Sequence, residues 1–543
     1  MPTSPRLALG LDFGTESVRA LLVDLKGQEH GSSVARYRHG QITRSLPGSD
    51  EKLPADFALQ NPRDWVDSAG AASRSALRRA GAAGRSVISI GVDFTSCTML
   101  PTLRDGTPLC LIDRFKGEKF AWPKLWKHHG AKTQTDRIND VARRRREPWL
   151  ARYGGIIGLE WFFPKILETL DEAPHVYEAA EVWLEAGDWL VWQLVGCDTD
   201  DLPRSTCQAG YKAMWNGTDG YPSPAFFRAL HPKLESVVTT KMAGRLLSPG
   251  ESAGELCPTM ARKMGLADGA RPIPVSAATI DAHAGVPGAG VGEPSTLVMV
   301  MGTSSCHMLN SRVEHLVPGI AGVVDGGILP GYFGYETGQA AVGDAFDWFR
   351  RAVGHKNFTR LNESARQLNA GADGVLCMDW LNGCRTPLMD GRLTGAFTGL
   401  GLGHGAAHLY RALLEASALG LRWIVDVLRD GGVPVRRFVA TGGLPHHNPL
   451  FVQICADVLR ERIIVHPSTQ GPALGAAILG VLAAGRGVTG FASTSTAVNA
   501  MARAKPGTPR EPLIVRPNRR HAKVYDGIYE RYRDLAGQLQ GCG

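Results

Sequence analysis

Three groups of residues in this chain have the types and spacing to act on a phosphate and a sugar. The first is a pair of small-residue bends. Asp12-Phe13-Gly14-Thr15 ends the apolar run that begins at Leu7, and Gly302-Thr303-Ser304-Ser305 ends the run that begins at Thr296. A second apolar run follows each bend. Glycine at such a bend removes the Cβ, so backbone N–H groups can approach an anion closely. The Thr and Ser hydroxyls add further donors. Two bends of this kind facing each other across a cleft could grip a polyphosphate from both sides, as in a two-domain enzyme that uses ATP. Asp12 stands out of phase with Leu7, Leu9 and Leu11. A carboxylate there could hold Mg²⁺ through water, since that ion takes few protein carboxylates and completes its shell with phosphate oxygens. Taken alone, it also reads as a turn-forming Asp.

The second group is a single carboxylate. Asp281 lies in Thr279-Ile280-Asp281-Ala282-His283-Ala284-Gly285. In one reading it caps a helix N-terminus. In the other it is a general base that takes a hydroxyl proton, an effect of roughly 10²- to 10⁴-fold. The third group is Lys212, in Ala209-Gly210-Tyr211-Lys212-Ala213-Met214-Trp215, and Glu336, in Gly334-Tyr335-Glu336-Thr337-Gly338. Charges among glycines and aromatic rings suit a sugar, whose ring packs on apolar faces while its hydroxyls bind ions; both residues could also be ordinary surface charges. Gly442-Gly443-Leu444-Pro445 is a strand-to-helix turn that could let an adenosine lie against backbone, or could simply connect two elements.

The elements that must position these residues alternate between strand and helix, which points to α/β layers. At 543 residues the chain exceeds one hydrophobic core, so two or more domains are expected. Val87 to Phe94 reads as a buried strand, and the segments 164–169, 176–180 and 188–194 read as helices. Ala406 to Arg429 keeps helical spacing through Leu409, Leu413, Ala416, Leu419 and Trp423, with Gly431 as its stop. A strand at 437–441, a helix at 448–459, a strand at 461–466 and a small-residue helix at 472–484 follow. The breaker-rich run Pro287-Gly288-Ala289-Gly290-Val291-Gly292-Glu293-Pro294 is the best boundary, giving domains over 1–287 and 293–543. Residues 488–512, rich in Ala, Thr, Ser and Pro, read as irregular.

Composition narrows the function classes. Lys+Arg 60 against Asp+Glu 52 leaves +8, but the basic residues are scattered; the one cluster, Arg143 to Arg146, reads as a solvated helix face. No nucleic-acid partner and no membrane partner are expected. The ten cysteines include no Cys-x-x-Cys pair, which suggests free thiols in a reducing cytoplasm. The N-terminus lacks a basic segment followed by an apolar run, so no secretory signal is expected.

Longer blocks carry a resemblance. Gly91-Val92-Asp93-Phe94-Thr95-Ser96-Cys97-Thr98-Met99-Leu100-Pro101, Lys124-Leu125-Trp126-Lys127-His128-His129, Glu160-Trp161-Phe162-Phe163-Pro164-Lys165, Glu185-Ala186-Gly187-Asp188-Trp189 and Pro318 to Val323, continuing through Leu329 to Glu336, are individually distinctive. With them the chain resembles the bacterial ribulokinases of the FGGY carbohydrate kinase family. The resemblance implies two actin-like (ribonuclease H-like) α/β domains flanking a deep ATP and sugar cleft. It implies Asp281 as catalytic base, and Asp12, Gly14 and Thr15 with Gly302, Thr303 and Ser304 as the two phosphate loops. It places Gly442, Gly443 and Asn448 in the adenosine segment, and Ser96, Lys212 and Glu336 against a ketopentose. The implied reaction is phosphorylation of L-ribulose at its 5-hydroxyl with ATP and Mg²⁺, in arabinose breakdown, by a cytoplasmic enzyme that could form a homodimer. A sibling kinase for D-ribulose, D-xylulose or a pentitol, and a non-catalytic actin-like nucleotide switch, are the alternatives. The chain departs from the family pattern at Arg114 to Lys119 and at Cys384, near substrate or domain contacts.

Overall fold

The computed structural model describes residues 5–267, 269, 271–504 and 511–540. Two sheets carry the bends. The first has strands β1 (Leu7–Phe13), β2 (Ser17–Asp24), β3 (Glu29–Arg36), β4 (Val87–Phe94) and β5 (Pro274–Ser276) in the order β3-β2-β1-β4-β5, with Ser252–Glu255 at its edge. The second has β6 (Thr296–Met301), β7 (Ser305–Ser311), β8 (Phe333–Gln339), β9 (Arg437–Thr441) and β10 (Ile463–Val465) in the order β8-β7-β6-β9-β10. Gly322–Asp325 lies outside β8 and Leu513–Val515 outside β10. Each sheet therefore repeats one plan. An antiparallel hairpin carries the bend, and its first strand pairs in parallel with a strand that arrives much later in the chain.

Strand β1 is apolar on both faces because both are covered. Leu7, Leu9 and Leu11 pack with Trp65, Ala69 and Ala72 of the helix Pro62–Ala80. Side chains alternate along a strand, so Ala8, Gly10 and Asp12 share the opposite face. The helix lying there comes from the far end of the chain. It is Gly471–Ala483, and Ala8 clusters with its Ala473, Leu474 and Ala477. The approach is at backbone distance: a Cβ on Gly10 would sit 1.9 Å from the Ala473 carbonyl oxygen, and one on Gly91 1.7 Å from that of Ala476. The same helix crosses Asp281–Gly288, where a Cβ on Gly475 would meet the Ala284 carbonyl oxygen at 1.8 Å. Glycine is needed at these crossings because any side chain would force the backbones apart. The helix opens the cleft at its N-terminal end, where Pro472 joins the lining.

The segment read as irregular, 488–512, is in part a helix. Thr494–Met501 packs Ala497, Val498 and Met501 into the cluster formed by β1, β2 and Gly471–Ala483. Its small polar residues look like a linker only when the buried positions four apart are overlooked. Residues 505–510 of that segment lie outside the described residues. Pro287 and Gly288, read as the start of the boundary, are the last two residues of the helix Asp281–Gly288. Among the described residues no single helix is long and apolar enough to cross a membrane, and all nine described cysteines are free.

Candidate active site

A cleft of about 390 Å³ lies between the sheets, and both bends line it. Asp12, Gly14 and Thr15 form one wall; Gly302, Thr303 and Ser304 form the other. Each bend is closed by its own backbone: Gly14 N–H donates to the Ser17 carbonyl at 3.0 Å, and Gly302 N–H to that of Ser304 at 2.9 Å. The first bend is tied down from outside. Tyr37 Oη donates to the Gly14 carbonyl at 3.0 Å, Gln60 Nε2 to the Thr15 carbonyl at 2.7 Å, and Trp126 Nε1 to Thr15 Oγ1 at 3.1 Å. The second is held by Val342, Gly343 and Asp344, whose N–H groups donate to Thr303 and Gly302 carbonyls.

Strand register brings three carboxyl groups together. β1 and β4 pair with Asp12 opposite Asp93, and the short strand Thr279–Ile280 pairs with the far side of β4, placing Thr279 opposite Asp93. Asp281 follows as the first residue of the helix Asp281–Gly288. It is not that helix's cap; its Oδ1 accepts from the Ala282 N–H at 2.6 Å and the residue lines the cleft. Burial, reinforced by the negative charge of Asp12, pushes the Asp281 carboxyl up to about 7. Burial also raises Asp12, against the opposing pull of Arg19, whose Nη1 lies 3.5 Å from Oδ2. Asp93 is fully buried, and burial with Asp12 and Asp281 alongside holds it far above the ordinary carboxylate range. Apart from the Asp12 carboxyl beside it, no group satisfies the Asp93 oxygens. This pair of acids in register, the inner one facing no partner but the outer, fits a divalent cation that draws its remaining oxygens from a bound phosphate.

The other end of the cleft is built from side chains. Lys212 closes the helix Thr206–Lys212 and Glu336 stands on β8, so the two come from opposite halves of the chain. Lys212 Nζ donates to both Glu336 carboxylate oxygens at 2.9 Å, with each residue 5% exposed. Burial disfavours both charges, but their mutual attraction wins: Glu336 falls to about 2 and Lys212 rises. His283 Nε2 lies 3.5 Å from the same carboxylate and its ring 4.3 Å from that of Tyr211. Burial holds His283 down at about 4, so it is neutral at pH 7.

Ser96 lines the cleft on a turn pinned from below. Its neighbour Cys97 has φ +57°, and the buried Lys165 donates to the Cys97 carbonyl at 2.5 Å and to that of Leu125 at 2.9 Å. Beside it Lys124 donates to Glu168 at 2.6 Å, Thr169 at 2.7 Å and the Lys165 carbonyl at 2.9 Å. Lys124 and Lys165, drawn from two of the blocks that carried the resemblance, thus form the buried frame under Ser96.

Gly442, Gly443 and Asn448 lie outside the cleft lining. Gly442 has φ +94°, and a Cβ there would sit 2.5 Å from the Met301 carbonyl oxygen, so the turn abuts the second bend. Asn448 spends its side chain on structure: Oδ1 caps the helix Pro449–Leu459 through the Phe451 N–H, and Nδ2 donates to Tyr410. Residues given no role by sequence reasoning also line the cleft, among them Thr95, Trp126, Glu160, His283, Cys306 and Arg385. The signal for Trp126 and Glu160 was their place in distinctive blocks; Arg385 adjoins the departure at Cys384, and Cys306 had none.

Comparison with known proteins places the chain in a family. Residues 297–484 match the model of the FGGY family of carbohydrate kinases, C-terminal domain. A ribulokinase of Halalkalibacterium halodurans is 45% identical, over 98% of this chain and 94% of its own length. A ribulokinase of Mycolicibacterium smegmatis is 44% identical, over 89% of this chain and 87% of its own. Among solved structures, a xylulose kinase from Rhodospirillum rubrum superposes with a TM-score of 0.78 at 23% identity, covering 99% of both chains. A glycerol kinase from Plasmodium falciparum, solved with ADP, gives 0.76 at 15%, covering 98% of both. At these identities the structures speak to the fold, which is that of the two-domain sugar kinases.

Proposed function

The chain belongs to the ribulokinases of the FGGY family of carbohydrate kinases, and on that premise we propose that Asp281 is the base of an ATP-dependent phosphorylation of L-ribulose at its 5-hydroxyl. Phosphorylation of ribulose by ATP is the activity of the family. The sugar's configuration, the 5-position and service in arabinose breakdown are our finer reading. One observation carries the site assignment: the carboxylate of residue 281 and both bends open into the same cleft.

In this reading the bends hold the β- and γ-phosphates, and the sugar lies toward Ser96, Lys212 and Glu336. Asp281 accepts the proton of the 5-hydroxyl as that oxygen forms its bond to the γ-phosphorus. The bond from the γ-phosphorus to the β–γ bridging oxygen breaks, and ADP leaves with the electron pair. Phosphoryl transfer asks chiefly for alignment and charge stabilisation. The bends supply both. Two helices, Asp281–Gly288 and Gly471–Ala483, also begin at the cleft, and their N-terminal ends favour negative charge. Mg²⁺, with Asp12 reached through water and Asp93 behind it, would neutralise charge on the transferred group. Gly442 and Gly443 receive the adenosine in this proposal, with Asn448 fixing their turn. Domains over 1–287 and 293–543, a cytoplasmic location and a homodimer complete it.

The test is an ADP-release assay across L-ribulose, D-ribulose, D-xylulose and the pentitols, with the phosphorylated product identified. L-ribulose 5-phosphate as the main product, at the highest kcat/KM, is expected. A better rate on another acceptor replaces the substrate, and ADP release without any phosphosugar would favour a nucleotide switch.

A further inference from the structure

Once Lys212 and Glu336 are paired, two charges remain at the sugar end. Arg385 reaches the cleft from the second half of the chain, and Glu160 from the segment just before the helix Phe162–Glu172 of the first. Both are half-buried. Among the described residues no carboxylate lies within ion-pair distance of the Arg385 guanidinium, whose one side-chain hydrogen bond is a long contact to Cys306 Sγ at 3.9 Å. The Glu160 carboxylate has neither a hydrogen-bond nor an ion-pair partner there. The carboxylates that act most strongly on Arg385 are Glu336 and Glu160, not Asp12, which puts it at the sugar end rather than among the phosphates.

A guanidinium only donates and a carboxylate only accepts. Half-buried and unpaired, each is suited to a ligand group of the opposite kind, since a lost partner at such a site costs more than a hydrogen bond gains in water. A neutral ketose presents that pair at one end. Its carbonyl oxygen can only accept, and the hydroxyl on the neighbouring carbon can donate. A polyol of the same configuration has a hydroxyl where the ketose has the carbonyl. Its oxygen accepts less strongly, and its added proton has to find an acceptor of its own.

We propose that Arg385 and Glu160 read the hydroxyketone end of the acceptor from opposite halves of the molecule, Arg385 donating to the carbonyl oxygen and Glu160 accepting from the adjacent hydroxyl, and so select ketoses over polyols. The assignment rests on the sugar-kinase reading above and deepens it. It makes Arg385 and Glu160 substrate-binding residues beyond Ser96, Lys212 and Glu336.

The test measures kcat/KM of the full-length chain for a ketopentose and for the pentitol of matching configuration, at saturating ATP. Arg385→Gln should lower kcat/KM for the ketose by at least about tenfold and for the pentitol by less than about threefold. The KM for ATP and the melting temperature should hold. Glu160→Gln should lower both acceptors about equally, because both carry the hydroxyl it accepts from. If Arg385→Gln does not fold, Arg385→Lys keeps the charge without the fork and should shrink the same ketose-to-pentitol ratio. An unchanged ratio in the Arg385 variants, on a wild type that phosphorylates ketoses, overturns this assignment alone. A wild type that phosphorylates neither acceptor overturns the kinase reading and this assignment with it.

Discussion

The two ends of the cleft are built by different means. The end proposed for the phosphates is made of backbone, and it is made twice: each sheet contributes a hairpin whose bend is closed by its own N–H to carbonyl bond. The end proposed for the sugar is made of side chains and exists once, with Lys212 from one half of the chain clamped on Glu336 from the other. In that proposal a backbone site tolerates any acceptor, because it reads only the phosphate. Specificity therefore has to reside among the side chains at the other end, in the buried Lys212–Glu336 pair and in the unpaired Arg385 and Glu160 beside it. Perturbing the two ends separately should give different signatures, one in turnover and one in stability.

The largest effect is expected between them, at Asp281. Asp281→Asn keeps the shape and removes the base, so turnover should fall by roughly 10²- to 10⁴-fold while ATP binding, followed by calorimetry, stays close to wild type. Near-normal turnover would remove Asp281 from the chemistry. At the sugar end, Lys212→Met leaves Glu336 buried without its counter-ion. Breaking a buried pair on one side costs about 3–5 kcal/mol, so chemical denaturation should show a loss of that order. The same substitution should weaken ribulose far more than ATP. A Lys212→Met chain as stable as wild type would mean that the pair is solvated in solution and that the two ends are less different than drawn here.

A smaller effect comes from pH. The Asp281 carboxyl is held at about 7, above the ordinary carboxylate range, first by burial and then by Asp12. The base works ionised, so kcat/KM should rise with pH through about 7 and level off above it, falling by about tenfold from pH 8 to pH 6. Stability runs the other way. A carboxyl raised on folding stabilises the native state while it is protonated, and that contribution is lost as pH rises through about 7. Asp281→Asn should therefore be the more stable protein at pH 8, with the difference gone near pH 4. Glu336 has the opposite sign: held at about 2, it contributes stability above pH 4.5 that disappears only as pH falls toward 2. A flat kcat/KM profile between pH 6 and 8 would contradict the raised base.

The same contrast explains what the sequence disclosed. The bends were legible because they are local: an apolar strand, a glycine and a hydroxyl residue within a few positions, written twice. The strand at Val87 to Phe94 and the long helix ending at Gly431 were legible for the same reason. Arg385 was not, because its one flag, the departure at the neighbouring Cys384, does not distinguish a cleft-lining arginine from a surface one. Helix Gly471–Ala483 was seen as a helix but not as the element that rides on the first sheet. Its small residues fit that role only opposite Gly10 and Gly91, more than 300 positions away. Asn448 shows the limit of resemblance: the resemblance puts the position in a nucleotide segment, and the structure commits its side chain to capping.

The smallest effect expected is at the joint between the two ends. Trp126 stands in a block whose neighbours Lys124 and Leu125 belong to the frame under Ser96, and its indole N–H reaches Thr15 Oγ1 at 3.1 Å in the first bend. The ring thus ties the side-chain end to the backbone end by one neutral hydrogen bond. Trp126→Phe keeps most of the apolar surface and deletes that bond, which is worth about 0.5–1.5 kcal/mol. The KM for ATP should rise by about two- to tenfold, with a similar fall in kcat if the bend must be held in place for transfer. The more telling readout is coupling. If the frame positions the bend through Trp126, then Trp126→Phe combined with Thr15→Val should do little more harm than Thr15→Val alone. Fully additive losses would mean that the two ends are set independently and that Trp126 serves only to fill space.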